Sequence, residues 1–219
     1  LISLLANLAP MGLVAQALDT RAPDAKLNSN PGGSQAEVRD LGRVETRYDL
    51  VAIVVDEATW GATATDGGGF LNFFGGSPRI SQKIDTYARD VQAALPWTKT
   101  LILTVDSSKD PVQLQKTLES LYFEGDPNDS SPTRLKGVVL VGDVPLPVVN
   151  KGGQRFLSML PYTDFEEPRY VIDPYTQDFV LNPKSQGTQA EVWHGVIHPP
   201  VQGQEGIDLL GAYFDKNHA

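Results

Sequence analysis

The sequence predicts an α/β three-layer sandwich with a mainly parallel sheet, and three observations carry that expectation. Apolar runs too short for helices recur at residues 50–55, 98–106 and 135–141, each rich in β-branched residues and each closed by an acidic residue. Such runs describe strands buried on both faces. Between them lie two segments with helical apolar spacing, and the order strand, helix, strand, helix, strand leaves crossovers long enough for right-handed parallel connections.

The chain has 219 residues, is 41% hydrophobic and carries a formal charge of -9, which suits one globular domain, or one and a fraction, with a real core. Its 18 Lys and Arg face 27 Asp and Glu without forming a basic cluster, so nucleic acid is not an expected partner. There is no cysteine, which excludes disulfides, thiolate metal sites and a cysteine nucleophile within these residues.

Residues 1–18, LISLLANLAPMGLVAQAL, are uncharged and end in Ala15-Gln16-Ala17, the small-x-small pattern of a signal-peptidase site. They read as the apolar part of an export signal, with a retained anchor or a packing helix as alternatives; membrane contact is expected only through this segment. Residues 19–47 are polar, centred on Asn30-Pro31-Gly32-Gly33, and read as a linker. The α/β domain is then expected over residues 48–217.

Within it, Leu50–Val55 is the first strand, closed by Asp56-Glu57. Residues 61–78 are glycine-rich and carry Phe70, Phe73 and Phe74, but lack the GxGxxG or GxxxxGK[ST] spacing of a phosphate cradle. A helix follows, with Ser77 or Ser81 as its cap; Ile84, Tyr87, Ala88, Val91 and Leu95 form its inner face and Pro96 stops it. TKTLILTVD is the second buried strand. The second helix has Asp110 as N-cap, Pro111 at the first position, Leu114, Leu118 and Leu121 facing inward and Gly125 at its end. After the third strand, YVIDPYTQDFVL predicts a β-hairpin around Asp173-Pro174, either a partner-facing aromatic surface or a cover over the sheet edge.

Ligands of such sheets sit outside the carboxyl ends of the strands. Asp56, Asp106 and Asp143 fall at such ends, and Asp56, Asp143 and Asp164 form the candidate acidic site. The plainer reading is that Asp is a good turn and cap residue.

The succession KGVVLVGDVPLP, LPYTDFEEPRYV and AEVWHGVIHPP resembles the first, non-catalytic sub-domain of gingipain-like (peptidase family C25) domains. The matching residues are Gly142 and Asp143; Thr163, Asp164, Phe165 and Tyr170; and Glu191, Trp193, Gly195, Ile197 and Pro199. The likeness spans roughly residues 48–217. It implies a caspase-like, Rossmann-like half-domain of a long exported bacterial protein, with structural roles for Gly142, Thr163, Glu191, Trp193 and Gly195. The family's histidine and cysteine would lie in a following half-domain. Val196 stands where the family usually has Arg.

Other chemistry finds little footing. His194 and His198 are four apart on a predicted strand, where they share a face, but a zinc site would need further ligands and Glu191 falls on the other face. Asp126, Asn128 and Asp129 could bind calcium weakly, without the EF-hand's central Gly and terminal Glu. G-x-S-x-G is absent, and Asp164, Glu166 and Glu167 have no separation legible in sequence that would suit glycoside hydrolysis. The expected function is an exported structural or protein-interaction module, assembling with protein partners, with itself or with a downstream half-domain. The alternatives are an amino-terminal fragment of a cysteine peptidase, and a ligand- or metal-binding domain using strand-end carboxylates.

Overall fold

The computed structural model describes residues 47–65, 79–108, 110–166, 170–183 and 190–218. The apolar segment 1–18, the linker as far as residue 46, the three phenylalanines of the glycine-rich stretch, Ser77 and Glu167 lie outside the described residues.

Strand β1 (Tyr48–Asp56) is the centre of a four-stranded sheet. Its continuous apolar run makes it burial-tolerant on both faces, and Leu50 through Val55 are all buried. Parallel to it run β2 (Thr98–Val105) on one side and β3 (Thr133–Val141) on the other. A late strand, β8 (Trp193–Ile197), adds to β3, also in parallel, giving the order β2-β1-β3-β8. The predicted α/β sandwich with a parallel sheet is therefore present.

Helix α1 (Glu57–Gly61) is a single turn after β1. Helix α2 (Ile80–Ala94) and helix α4 (Gly203–His218) lie on one face, with Ile80, Ile84, Leu210 and Phe214 against Val51, Ile53, Val139 and Val141. Helix α3 (Pro111–Phe123) lies on the other, with Leu114, Leu118 and Leu121 against Leu50, Ala52, Val54, Val138 and Leu140. Chain reversal between β1→β2 and β2→β3 requires helices on opposite faces if both crossovers are right-handed, and that is where α2 and α3 sit.

Several boundaries match the sequence reading. Asp110 caps α3 by accepting the Val112 N–H at 2.9 Å, Pro111 opens it, and Gly125 follows it at φ 83°, where a Cβ would meet the Thr133 carbonyl oxygen at 2.6 Å. Other boundaries differ. Neither Ser77 nor Ser81 caps α2: Arg79 is the N-cap, its N–H bonded to Gln82 Oε1 at 3.2 Å, and Ser81 sits within the first turn. The second strand is only half-buried, because β2 is an edge strand with β1 alone beside it among the described residues.

The expected hairpin forms as β6 (Tyr170–Ile172) and β7 (Phe179–Leu181). It belongs to a larger unit. A second hairpin, β4 (Val148–Lys151) and β5 (Gln154–Leu157), precedes it in the chain, and β4 pairs with β7 to give a small sheet in the order β5-β4-β7-β6. Gly152 and Gly153, at φ 61° and 83°, supply the two left-handed positions that a two-residue hairpin loop of type I′ needs. Val112, Val149 and Phe179 form its own small core.

Candidate functional site

At the carboxyl end of β1 and β3, Asp56 is buried with both carboxylate oxygens engaged by backbone. One accepts the Thr59 N–H at 3.0 Å, capping α1, and the other accepts the Asp143 N–H at 2.8 Å, 87 residues away in sequence. Gly142 makes this possible. Its φ is 79°, and a Cβ there would fall 2.0 Å from Asp56 Oδ2 and 2.4 Å from Thr59 Oγ1. Its own N–H donates to the Ile197 carbonyl at 3.0 Å, so one turn ties the ends of β1, β3 and β8 together. Asp56 is thus a bracket of the fold.

Asp143 differs. Its N–H is committed but its carboxylate points outward, 76% exposed, with His198 Nε2 at 3.9 Å from Oδ1. Both residues stand on the rim of a cleft of about 310 Å³ formed by Leu140, Val144, Pro145, Leu146, Leu157 and Val196, with Ser107 at its edge. The cleft lies outside the carboxyl ends of adjacent parallel strands, beside the point where the strand order reverses, which is where open α/β sheets hold ligands. Asp106, at the end of β2, is spent on its own turn: Oδ1 accepts the N–H and the hydroxyl of Ser108 at 2.9 and 2.8 Å.

Asp164 does not join Asp56 and Asp143. It is buried in the turn after a 3-10 segment, Leu160–Tyr162, whose neighbour Thr163 is bound to the start of β8. The Thr163 carbonyl accepts the N–H groups of Glu191 and Val192 at 2.9 and 3.1 Å, and a Glu191 carboxylate oxygen accepts the Phe165 N–H at 2.8 Å. This knot sits at the amino end of β8, about 16 Å of extended strand from the Ile197 end. The proposed acidic trio is therefore split between opposite ends of the sheet.

The other motif residues have identifiable structural environments. The Trp193 indole lies over Gly137 of β3, where a Cβ would come within 2.2 Å of the ring, so the absent side chain makes its seat. A Cβ at Gly195 would meet nothing within 4 Å, and the structure supplies no steric need for glycine there.

His194 and His198 do share a face, but four residues of strand separate them by about 13 Å, too far for one metal ion. Partial burial lowers the His194 pKa. In the acidic turn, Asp126 accepts the Asn128 N–H, while Asp129 accepts the Ser131 N–H and pairs with Lys99. Those bonds hold its pKa low, the Lys99 contact first. Among the described residues no group of three or more His, Asp or Glu is placed to hold a metal ion. Beside α4 a shallower groove of about 640 Å³ contains Asp208 and Asp215, but Asp208 is taken up by Thr65 and Gln204, and Asp215 by Lys83. Among the described residues no helix is long and apolar enough to cross a membrane.

Sequence reasoning missed the cleft. Asp143 and His198 were visible singly at strand ends, but 51 residues of excursion separate β3 from β8 and hide their adjacency. Comparison of the chain with protein-family models, curated proteins and solved structures gives no match.

Proposed function

We propose that this chain is an exported, non-catalytic module that assembles with a second copy of itself through the free edge of β8. The observation that carries the reading is the chemistry of that edge. Trp193-His194-Gly195-Val196-Ile197 has no Lys, Asp, Glu or Pro to repel another strand, and no strand flanks it among the described residues. Trp193 and Val196 are 47% and 42% exposed on opposite faces, so apolar surface is present above and below the unpaired backbone. Antiparallel pairing of two β8 edges about a two-fold axis joins two four-stranded sheets and buries both residues.

The position of α4 favours a separate chain as occupant. It packs on the face of α2, and a right-handed crossover on that face runs back towards β2, so a strand delivered by α4 would not land beside β8. The Asp56 carboxylate, bound to backbone through both oxygens, and the lack of cysteine favour a structural role over peptide cleavage. Sedimentation velocity over a concentration series tests the pairing. The chain should dimerise, and Trp193→Glu and Val196→Lys should be folded monomers. A wild-type chain still monomeric at about 1 mM, where even 4 kcal/mol of association would show, overturns it. Export rests on residues 1–18 and is tested by amino-terminal sequencing of secreted chain.

A second reading, the first sub-domain of a gingipain-like peptidase, draws support from the knot of Thr163, Phe165 and Glu191: three motif residues bonded to one another form a natural unit of recurrence. A His- and Cys-bearing domain downstream in the reading frame, with peptidase activity of the joined protein, would favour it.

A further inference from the structure

We infer that the cleft at the carboxyl ends of β3 and β8 is a binding site for an aliphatic cation of about lysine size. The floor is apolar: Leu140 and Val144 are almost fully buried, and Pro145, Leu146, Val196 and Leu157 complete it. The rim carries one carboxylate, Asp143, with His198 beside it at 3.9 Å. An apolar channel with a single acidic group at its mouth matches a ligand with a methylene stem and a positive tip, and the chain's charge of -9 adds attraction for cations and repulsion of anions.

The site is preorganised. The Asp143 backbone is pinned to Asp56 at 2.8 Å, the turn is held by Gly142 at φ 79°, and Gly142 N–H is bonded to Ile197. None of those bonds uses the Asp143 carboxylate, which leaves it available to a ligand without cost to the fold. At about 310 Å³ the cleft is at the small end of ligand sites, suited to one side chain and too small for a nucleotide. The Tyr162 hydroxyl donates to the carbonyl of the lining residue Pro145 at 2.7 Å and holds it in place.

The cleft shares Val196 with the β8 edge, so the titration is repeated on the Trp193→Glu chain, whose substitution lies on the opposite face of the strand from Val196 and keeps the two readouts separate. The full chain is titrated with N-acetyl-lysine methylamide and with N-acetyl-norleucine methylamide, which keeps the stem and lacks the charge, following amide NMR shifts of Gly142, Asp143, Val196 and His198. The lysine probe should saturate with a Kd on the order of 1 mM, and the norleucine probe should bind about fivefold more weakly, as for one exposed ion pair. Asp143→Asn, which keeps shape and backbone bonds, should abolish that difference. Equal affinities for the two probes, a preference that survives Asp143→Asn, or no saturable shift at these amides would each overturn the assignment.

Discussion

Replacing Gly142 with alanine should be among the most damaging single-methyl additions to this protein. Two costs combine. An L-residue at φ 79° gives up about 1–2 kcal/mol of backbone preference. The new methyl would also sit 2.0 Å from Asp56 Oδ2 and 2.4 Å from Thr59 Oγ1, so the turn must move away and the Asp143 N–H bond to Asp56 is lost. Leaving a buried carboxylate oxygen short of a donor costs a further 1–3 kcal/mol or so. The expected loss is roughly 2–5 kcal/mol, a large part of the 5–15 kcal/mol a domain typically has. Gly153→Ala is the matched control: its φ is 83° but a Cβ there meets nothing within 4 Å, so only the backbone term applies, about 1–2 kcal/mol. Urea unfolding of both variants by far-ultraviolet circular dichroism measures the difference. If Gly142→Ala costs no more than Gly153→Ala, the bracket between β1 and β3 does not hold the fold as argued.

Two further outcomes follow from the core and its tyrosines. Leu118→Ala, fully buried on α3 against the central strands, should lose about 2–5 kcal/mol in the same assay, as a cavity in a packed layer does. Burial, helped by the Glu166 hydrogen bond, pushes the Tyr122 pKa up to about 12, and burial followed by the charge of Tyr213 does the same for Tyr87. Both groups are raised above the unfolded value of 10.0, so their contribution is intact below pH 10 and is lost as pH rises towards 12. Ultraviolet titration should show Tyr87 and Tyr122 silent until the pH nears 12 or the chain unfolds.

Glu166 shows the opposite sign at the other end of the pH scale. The Tyr122 hydroxyl donates to it at 2.7 Å and Arg134 lies nearby, and these hold its pKa low, the Tyr122 bond being the larger cause. Its stabilisation is present above the unfolded carboxylate range and is lost as pH falls through the lowered value. Because Glu166 is exposed, its share is small.

The elements written in local chemistry were legible in the sequence. Six successive buried residues in β1, the Asp110-Pro111 start of α3, its Leu114, Leu118 and Leu121 stripe and the Gly125 stop each follow from a few neighbouring residues. A strand that must be apolar on both faces, or a helix whose first N–H groups need an acceptor, announces itself at short range. Tertiary structure alone decided the rest. The register of β3 against β1 slips between Leu50 and Val51, leaving Lys136 as an extra residue, so that Leu135 and Val138 both face α3 across a spacing of three that plain alternation forbids. The acidic residues were equally undecided, since an aspartate at a strand end can be a ligand or a bracket depending on which N–H groups come to it. Asp56 receives one from 87 positions away, and Asp143 gains His198 only because a strand that begins at Trp193 comes to lie beside Val141. Long-range pairing chooses the neighbours of a side chain, and the neighbours decide what it can do.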